Sequence, residues 1–467
     1  MYPIAQYFIY LILLCIGLFI ASALGSTFSK NRKSQFIISS VLLAIITICS
    51  VYLLLVNYNA TVFNLIHIYA FSSLFIMLFS ITMLLVNILS YSRAKDYADL
   101  SFFLSLSFTG MFIVTTAVSI LALFIGLELL AVATAFMILF EGKNKIEAAI
   151  KFFILSSVSV AIFAFALALL LPYNAQLTLT PASMNPNVTG TVLILLSIAL
   201  FAAAFGFDVA LFPFNLWVPD VYEGAPTYIT SMLAGVNKKV AFVALIEVFF
   251  FVFIAYSSTF SIIFIVLSVL TMFFGNLIAL TQENIKRLFA YSSISQAGYI
   301  LIGISSATQF GLEASIFYII AHSFMIIGTF AIVMWLESKN IKTVSDYTGL
   351  DSRNRFAAAA LTLFMLSMAG IPLLIGFDGK LLLFLSAINA NLLLLTIFGI
   401  INSFISIYYY AKVINAMYTR KVQKKLSIDP YIAVVVIITL AVVIGFGIYP
   451  QPLINLATIA SKAVFGI

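Results

Sequence analysis

Apolar runs, most of them 20 to 28 residues long, follow one another with only short polar interruptions through the 467 positions of the chain. A hydrocarbon layer about 30 Å thick is crossed by about 20 residues of helix, so runs of this length read as spanning helices. A membrane barrel would instead show stretches of about ten residues with alternating polarity. Charged residues are 8% and hydrophobic residues 64% of the chain, against about 25% charged in soluble domains. The expected fold class is an all-α polytopic membrane protein. Fourteen spans are expected, over residues 4–25, 35–57, 63–91, 100–116, 118–140, 146–170, 191–218, 225–255, 257–280, 286–305, 309–336, 356–390, 392–418 and 430–450.

The loops support this count independently. Alternate loops carry Lys30, Arg32 and Lys33; Arg93 and Lys95; Lys143 and Lys145; Lys286 and Arg287; Lys339, Lys342, Arg353 and Arg355; and Arg420, Lys421, Lys424 and Lys425, which is 17 of the 23 basic residues. The intervening loops carry none. By the positive-inside rule the basic side is cytoplasmic, so both termini of a multi-pass protein of the cell membrane are expected to face outward. The same placement accounts for the formal charge of +7 and gives no basic face for nucleic acid. The first apolar run lacks a basic leader and a small-residue cleavage site, so it reads as a helix that stays. Cys15 and Cys49 lie in separate apolar runs and read as packing residues.

Two spans contain backbone breakers. The seventh holds Pro213 and Pro219 in PFNLWVP, and the twelfth holds Gly370, Pro372 and Gly376 in GIPLLIG. The second lies five spans after the first. Spans 4 to 8 (100–255) and 9 to 13 (256–418) therefore read as two repeats inverted relative to each other, preceded by a three-helix segment (1–99) and followed by a C-terminal helix and tail (419–467). Discontinuous helices in inverted repeats point to a transport site near the bilayer midplane.

Charges within spans are costly and mark function or internal pairing. The candidate proton path is Glu128, Lys151, Asp208, Lys238, Lys239, His322 and Lys380, nearly one group for each successive helix. Burial favours the neutral form of a lysine, so a neighbouring charge can switch it between protonation states near neutral pH. Glu147 and Lys151 are one helical turn apart, so an ion pair there is an equal alternative. His322 also fits a packing role, and Glu247 and Asp378 have no obvious partner. The sequence has no phosphate loop, metal cluster or nucleophile–base set. No metal or cofactor is expected in this chain.

The strings FIGLELL (124–130), PFNLWVPDVYEGAPT (213–227), ENIKRLFAYSSISQAGYILIG (283–303) and AGIPLLIGFDGK (369–380) resemble subunit N of respiratory complex I, the NADH:quinone oxidoreductase, over the fourth to thirteenth spans. The resemblance implies a proton channel in a membrane arm, among other membrane-arm subunits, with quinone and electron donor bound elsewhere in the complex. It assigns Glu128, Lys238 and Lys380 to the family's glutamate and two lysines, and Lys151 to a lysine on the sixth helix. The chain departs from the pattern at Asp208, where the family motif ordinarily has lysine, and at Asn215 and Gln296, where it has histidines. If Asp208 and Glu128 face each other, they titrate as a coupled pair unless a cation such as Lys238 or Lys239 intervenes. The alternatives are a subunit of a multi-subunit cation/proton antiporter or energy-converting hydrogenase, and a stand-alone secondary transporter.

Overall fold

The computed structural model describes residues 2–29, 31–140, 145–179, 188–419 and 425–466. Of the basic loop residues, Lys30, Lys143, Arg420, Lys421 and Lys424 lie outside the described residues. In chain order the elements are α1 (Tyr2–Ser29), α2 (Arg32–Leu55), the strands β1 (Ala60–Val62) and β2 (Ile66–Ile68), α3 (Ala70–Arg93), α4 (Tyr97–Thr115), α5 (Ile120–Ile138), α6 (Lys145–Leu170) and α7 (Val188–Val209). There follow α8 (Trp217–Gly224), α9 (Thr227–Met232), α10 (Lys238–Glu247), α11 (Ser257–Ala279), α12 (Ile285–Ser305) and α13 (Gln309–Glu337). The chain closes with α14 (Leu350–Arg353), α15 (Arg355–Ala369), α16 (Ile375–Asn389), α17 (Leu393–Tyr418), α18 (Pro430–Ile448) and α19 (Gln451–Phe465).

Among the described residues, 12 helices are long and apolar enough to cross a membrane. Two further expected spans are compound. Residues 227–252 run as α9 and α10 joined and continued by π turns at Leu233–Asn237 and Val248–Val252. The twelfth is split into α15 and α16. The boundary between the fourth and fifth spans is set by Ser119, whose side chain accepts a hydrogen bond from the Ala122 N–H and caps α5.

The break in the seventh span opens earlier than its prolines suggest. Helix α7 ends at Val209, and Ala210 takes a left-handed φ of 67°. Pro213 lies in the unwound stretch, whereas Pro219 sits in the first turn of α8, where a missing N–H leaves no bond unmade.

The chain forms two compact units. The first comprises residues up to Val209, Val236–Ile263 and the chain from Thr458. In it α4 packs on α5, α2 on α1 and α3, and α6 on α7. Helices α6 and α7 are also tied by hydrogen bonds from Ser159 to the Ala204 carbonyl and from Ser197 to the Ala166 carbonyl, both 2.9 Å. Such polar and small-residue contacts drive helix association where lipid removes the hydrophobic contrast. The second unit comprises Ala210–Gly235 and Phe264–Ala457. At its centre is α13, buried along its length and packed by α9, α12, α15, α16 and α18.

Candidate functional site

The charged groups singled out from the sequence are divided between the two units. In the first, Gly126 of FIGLELL brings α5 against α4. A Cβ on Gly126 would lie 2.9 Å from the Gly110 carbonyl oxygen, and one on Gly110 would lie 2.7 Å from that of Gly126. Two residues beyond this crossing, Glu128 lines a cavity of about 20 Å³ together with Asp208, Ser156, Ser159, Phe124 and Phe163. That volume accommodates about one water molecule. Helices α5, α6 and α7 thus bring the two carboxyls to one small polar chamber. The serine hydroxyls donate to the carbonyls of Phe153 (3.0 Å) and Ala204 (2.9 Å), so their oxygens remain as acceptors.

None of Lys151, Lys238 and Lys239 lines this chamber. Lys151 forms the ion pair with Glu147, at 2.8 Å and with its side chain 41% exposed. Lys238 and Lys239 are 1% and 2% exposed and open α10 directly after a π turn, a helix defect often found at functional sites. The Asn237 amide donates to Thr134 Oγ1 at 2.8 Å and ties this start of α10 to α5.

In the second unit, two of the motif strings prove to be one construction. Asn284 caps α12 by accepting from the N–H groups of Lys286 and Arg287 while its own amide donates to Glu223 Oε1 at 3.0 Å. Arg287 Nη1 bridges Asp220 (2.8 Å) and Glu223 (3.0 Å), and Lys286 Nζ donates to the Ala225 carbonyl at 2.7 Å. Glu337 of α13 accepts from Thr227 and lies 3.8 Å from Lys286. ENIKR therefore clamps the acidic C-terminal part of α8 and the Ala225–Pro226 link that follows it. Each partly exposed pair contributes about 0.2–1 kcal/mol, and their sharing of Arg287 makes the cluster a positioning device. Asn215, in the stretch just before α8, is fully buried, and neither polar atom of its side chain finds a partner among the described residues.

The break between α15 and α16 places charge at both helix ends. Helix α15 stops at Ala369, with Gly370 left-handed at φ 93°. Lys380 Nζ donates to the Ala369 carbonyl at 3.2 Å and to Ser403 Oγ at 2.9 Å, and it lies 4.4 Å from the Tyr299 ring centroid. Ser403 donates to the same carbonyl at 3.0 Å. A cation thus meets the negative end of α15, while Asp378 lies in the first turn of α16, at that helix's positive end. Gly376 is required by close approach: a Cβ there would stand 1.9 Å from the Ser367 carbonyl oxygen.

A polar seam continues beside Lys380. Gln296 of α12 accepts from the Tyr318 hydroxyl of α13, and its amide donates to Tyr410 Oη and to the Met368 carbonyl, both at 3.4 Å. Tyr410 is also hydrogen-bonded to Ser292. Tyr299 is three residues from Gln296, and His322 is four from Tyr318, so each pair shares a helix face. His322 is completely buried. Asn276 of α11 accepts from Tyr409 (3.1 Å) and donates to Asn402 (3.0 Å), extending the buried polar set into α17. Sequence alone marks Gln296 only as a lost histidine and does not single out the tyrosines. The available signal was the helical spacing of hydroxyl and amide side chains within apolar runs.

Among the described residues no group of three or more His, Cys, Asp or Glu could hold a metal ion. Each unit thus holds buried titratable groups beside hydroxyls and amides, with room for about one water at the Glu128–Asp208 chamber.

The chain is similar to known proteins along most of its length. The family described as NADH:quinone oxidoreductase/Mrp antiporter, TM, matches residues 117–406. The chain is 34% identical over 414 residues to the F(420)H(2) dehydrogenase subunit N of Methanosarcina mazei, covering 85% of this chain and 84% of the relative. It is 35% identical over 406 residues to the NADH-quinone oxidoreductase subunit N of Moorella thermoacetica, covering 85% of each. A chain in the solved respiratory complex I of Thermus thermophilus has the same fold, with a TM-score of 0.82, 25% identity and coverage of 96% of this chain and 99% of that one.

Proposed function

Because the chain belongs to the NADH:quinone oxidoreductase/Mrp antiporter transmembrane family, we propose that it is a proton-translocating membrane subunit, of the subunit N type, in a complex I-type quinone oxidoreductase. The redox centres, quinone site and electron donor site belong to partner subunits, and this chain contributes the proton path. The observation that carries the reading is Lys380, a buried cation held at a helix break by one carbonyl, one hydroxyl and one aromatic face. It has no carboxylate within salt-bridge distance among the described residues. Such a group exchanges its proton at lower cost than one locked in an ion pair.

In this reading Glu128 and Asp208 share a proton across their chamber, with Lys238 or Lys239 as the charge that biases which carboxyl holds it. The distribution of basic residues supports a cytoplasmic side for the loops before α12 and α14 and an outer side for both termini in the cell membrane.

Lys380→Ala tests the reading. The variant should assemble with its partner subunits, and proton uptake by inverted native-membrane vesicles should fall by about tenfold or more, the scale of a lost proton-transfer group. Undiminished uptake would count against it. The antiporter reading has support in the family's own breadth. It is favoured instead if the chain co-purifies without quinone-reductase subunits and the vesicles exchange Na⁺ for protons with no electron donor present.

A further inference from the structure

A second cluster of titratable groups lies in the first unit, away from the Glu128–Asp208 chamber. Glu247 ends α10, is 1% exposed, and has no cation within salt-bridge distance among the described residues. Its Oε1 accepts a hydrogen bond from the Tyr69 hydroxyl at 3.3 Å, and its Oε2 has no hydrogen-bond partner among them. A standing charge here would be unbalanced in a costly environment, so the carboxyl is suited to taking up and releasing a proton.

Tyr69 begins α3 and is held edge-on by Phe251. On its other side it stacks on His67 of β2, with ring centroids 4.5 Å apart and planes at 11°. His67 is only half-buried. Its backbone N–H donates to the Thr116 carbonyl at 2.9 Å, fixing the β1–β2 hairpin to the turn between α4 and α5, and its Nε2 pairs with Asn59 Oδ1 at 3.0 Å. The three groups thus lead in order from the buried end of α10 to an exposed hairpin.

Helix α10 itself points the same way. π turns bracket it on both sides, and titratable residues stand directly at each: Lys238 and Lys239 at its start, Glu247 at its end. Eight residues of helix separate Lys239 from Glu247, about 12 Å along the axis. We propose that Glu247, Tyr69 and His67 form a proton relay connecting the buried lysines of α10 with the aqueous face that carries the hairpin. The proposal rests on the proton-translocation reading above.

The transfers balance as follows. The Tyr69 hydroxyl, which donates to Oε1 in the structure, first rotates away from a protonated Glu247. The Glu247 O–H bond then breaks and its proton bonds to the Tyr69 oxygen, while the original Tyr69 proton passes to a water that gives one of its own protons to Nδ1 of neutral His67. With Asn59 Oδ1 accepting from Nε2–H, Nδ1 is the nitrogen with a free lone pair. The imidazolium then releases that proton to water at the hairpin, and the Glu247 carboxylate is refilled from the lysine side. Tyr69 ends as it began. Burial holds His67 below the ordinary imidazole value, so release from it is favoured at neutral pH.

Glu247→Gln and Tyr69→Phe test the relay in the assembled complex. Inverted native-membrane vesicles are energised with NADH, or with reduced F420 if NADH is not oxidised, and acidification is followed with a pH-sensitive dye. Each variant should slow acidification by about tenfold or more at unchanged amounts of assembled complex, and Glu247→Asp should recover part of the loss. Tyr69→Phe keeps the ring and its stacking, so it decides the matter if Glu247→Gln does not assemble. If the relay variants acidify normally while Lys380→Ala is impaired, the relay is overturned and the translocation reading stands. Normal acidification in all three would overturn both.

Discussion

Of the three departures from the pattern that the subunit N resemblance implies, Asp208, Asn215 and Gln296, Asp208 is the one that changes the charge of the chamber. A lysine there would face Glu128 as an ion pair, whereas an aspartate makes the same chamber a two-carboxyl site with room for about one water. Two carboxyls so placed titrate together, and removing the acidity of one removes the exchange between them. Asp208→Asn, a nearly isosteric change, should therefore leave assembly intact and slow proton translocation in vesicles; wild-type rates would show that Glu128 works alone. The sequence exposed Asp208 because an acid inside an apolar run stands out. It did not expose Gln296 as a hub. Tyrosine and glutamine in apolar helices look like packing residues, and the partners that make Gln296 polar architecture are Tyr318 and Tyr410, 22 and 114 positions away.

At the level of elements, both interrupted helices were legible, but their limits were not. Prolines marked the first break, yet α7 stops at Val209, four residues before Pro213, because Ala210 turns left-handed and the Phe212 N–H is taken by Thr271 Oγ1 at 3.0 Å. The π turns around α10 left no mark, since an extra residue in a helical turn has no compositional signature. The second break depends on one contact more than on its proline. Adding a methyl at Gly376 would press into the Ser367 backbone, and the remedy is to push α16 away from α15. Gly376→Ala should cost about 1–3 kcal/mol or more in stability, read as a lower melting temperature of the solubilised complex, and should impair translocation because Lys380 loses its reach to Ala369. A variant melting like the wild type would show that the break is set elsewhere.

For the whole molecule, helix counting and compactness give different divisions. Chain order suggested repeats meeting at 255 and 256. Grouped by compactness, Ala210–Gly235 belongs with Phe264–Ala457. The cause is packing: α8 lies on α12, clamped by Arg287, and α9 lies on α13. Sequence adjacency carries no information about such partners. The loop charges, by contrast, are a whole-chain signal, and they make a topological prediction. With Cys15 and Cys49 buried, a membrane-impermeant maleimide applied to intact cells should label Thr61→Cys in the hairpin and should not label Lys339→Cys until the membrane is opened. The reverse pattern would invert the proposed orientation.

The burial of α13 also has a consequence for how this protein is made. Three of the helices that enclose it, α15, α16 and α18, are synthesised after it. During biosynthesis α13 therefore enters the membrane with its future core face, including His322 and Thr329, still uncovered. Its long apolar sequence allows it to wait in lipid, and Thr329 and Ser323 bond within the helix, to the Met325 and Ile319 carbonyls, while Tyr318 and Ser315 reach the earlier α12. What the later helices supply is apolar packing. The second unit is thus completed from its C-terminal end, and a ribosome that stops before Pro430 leaves the central helix of the unit without one wall.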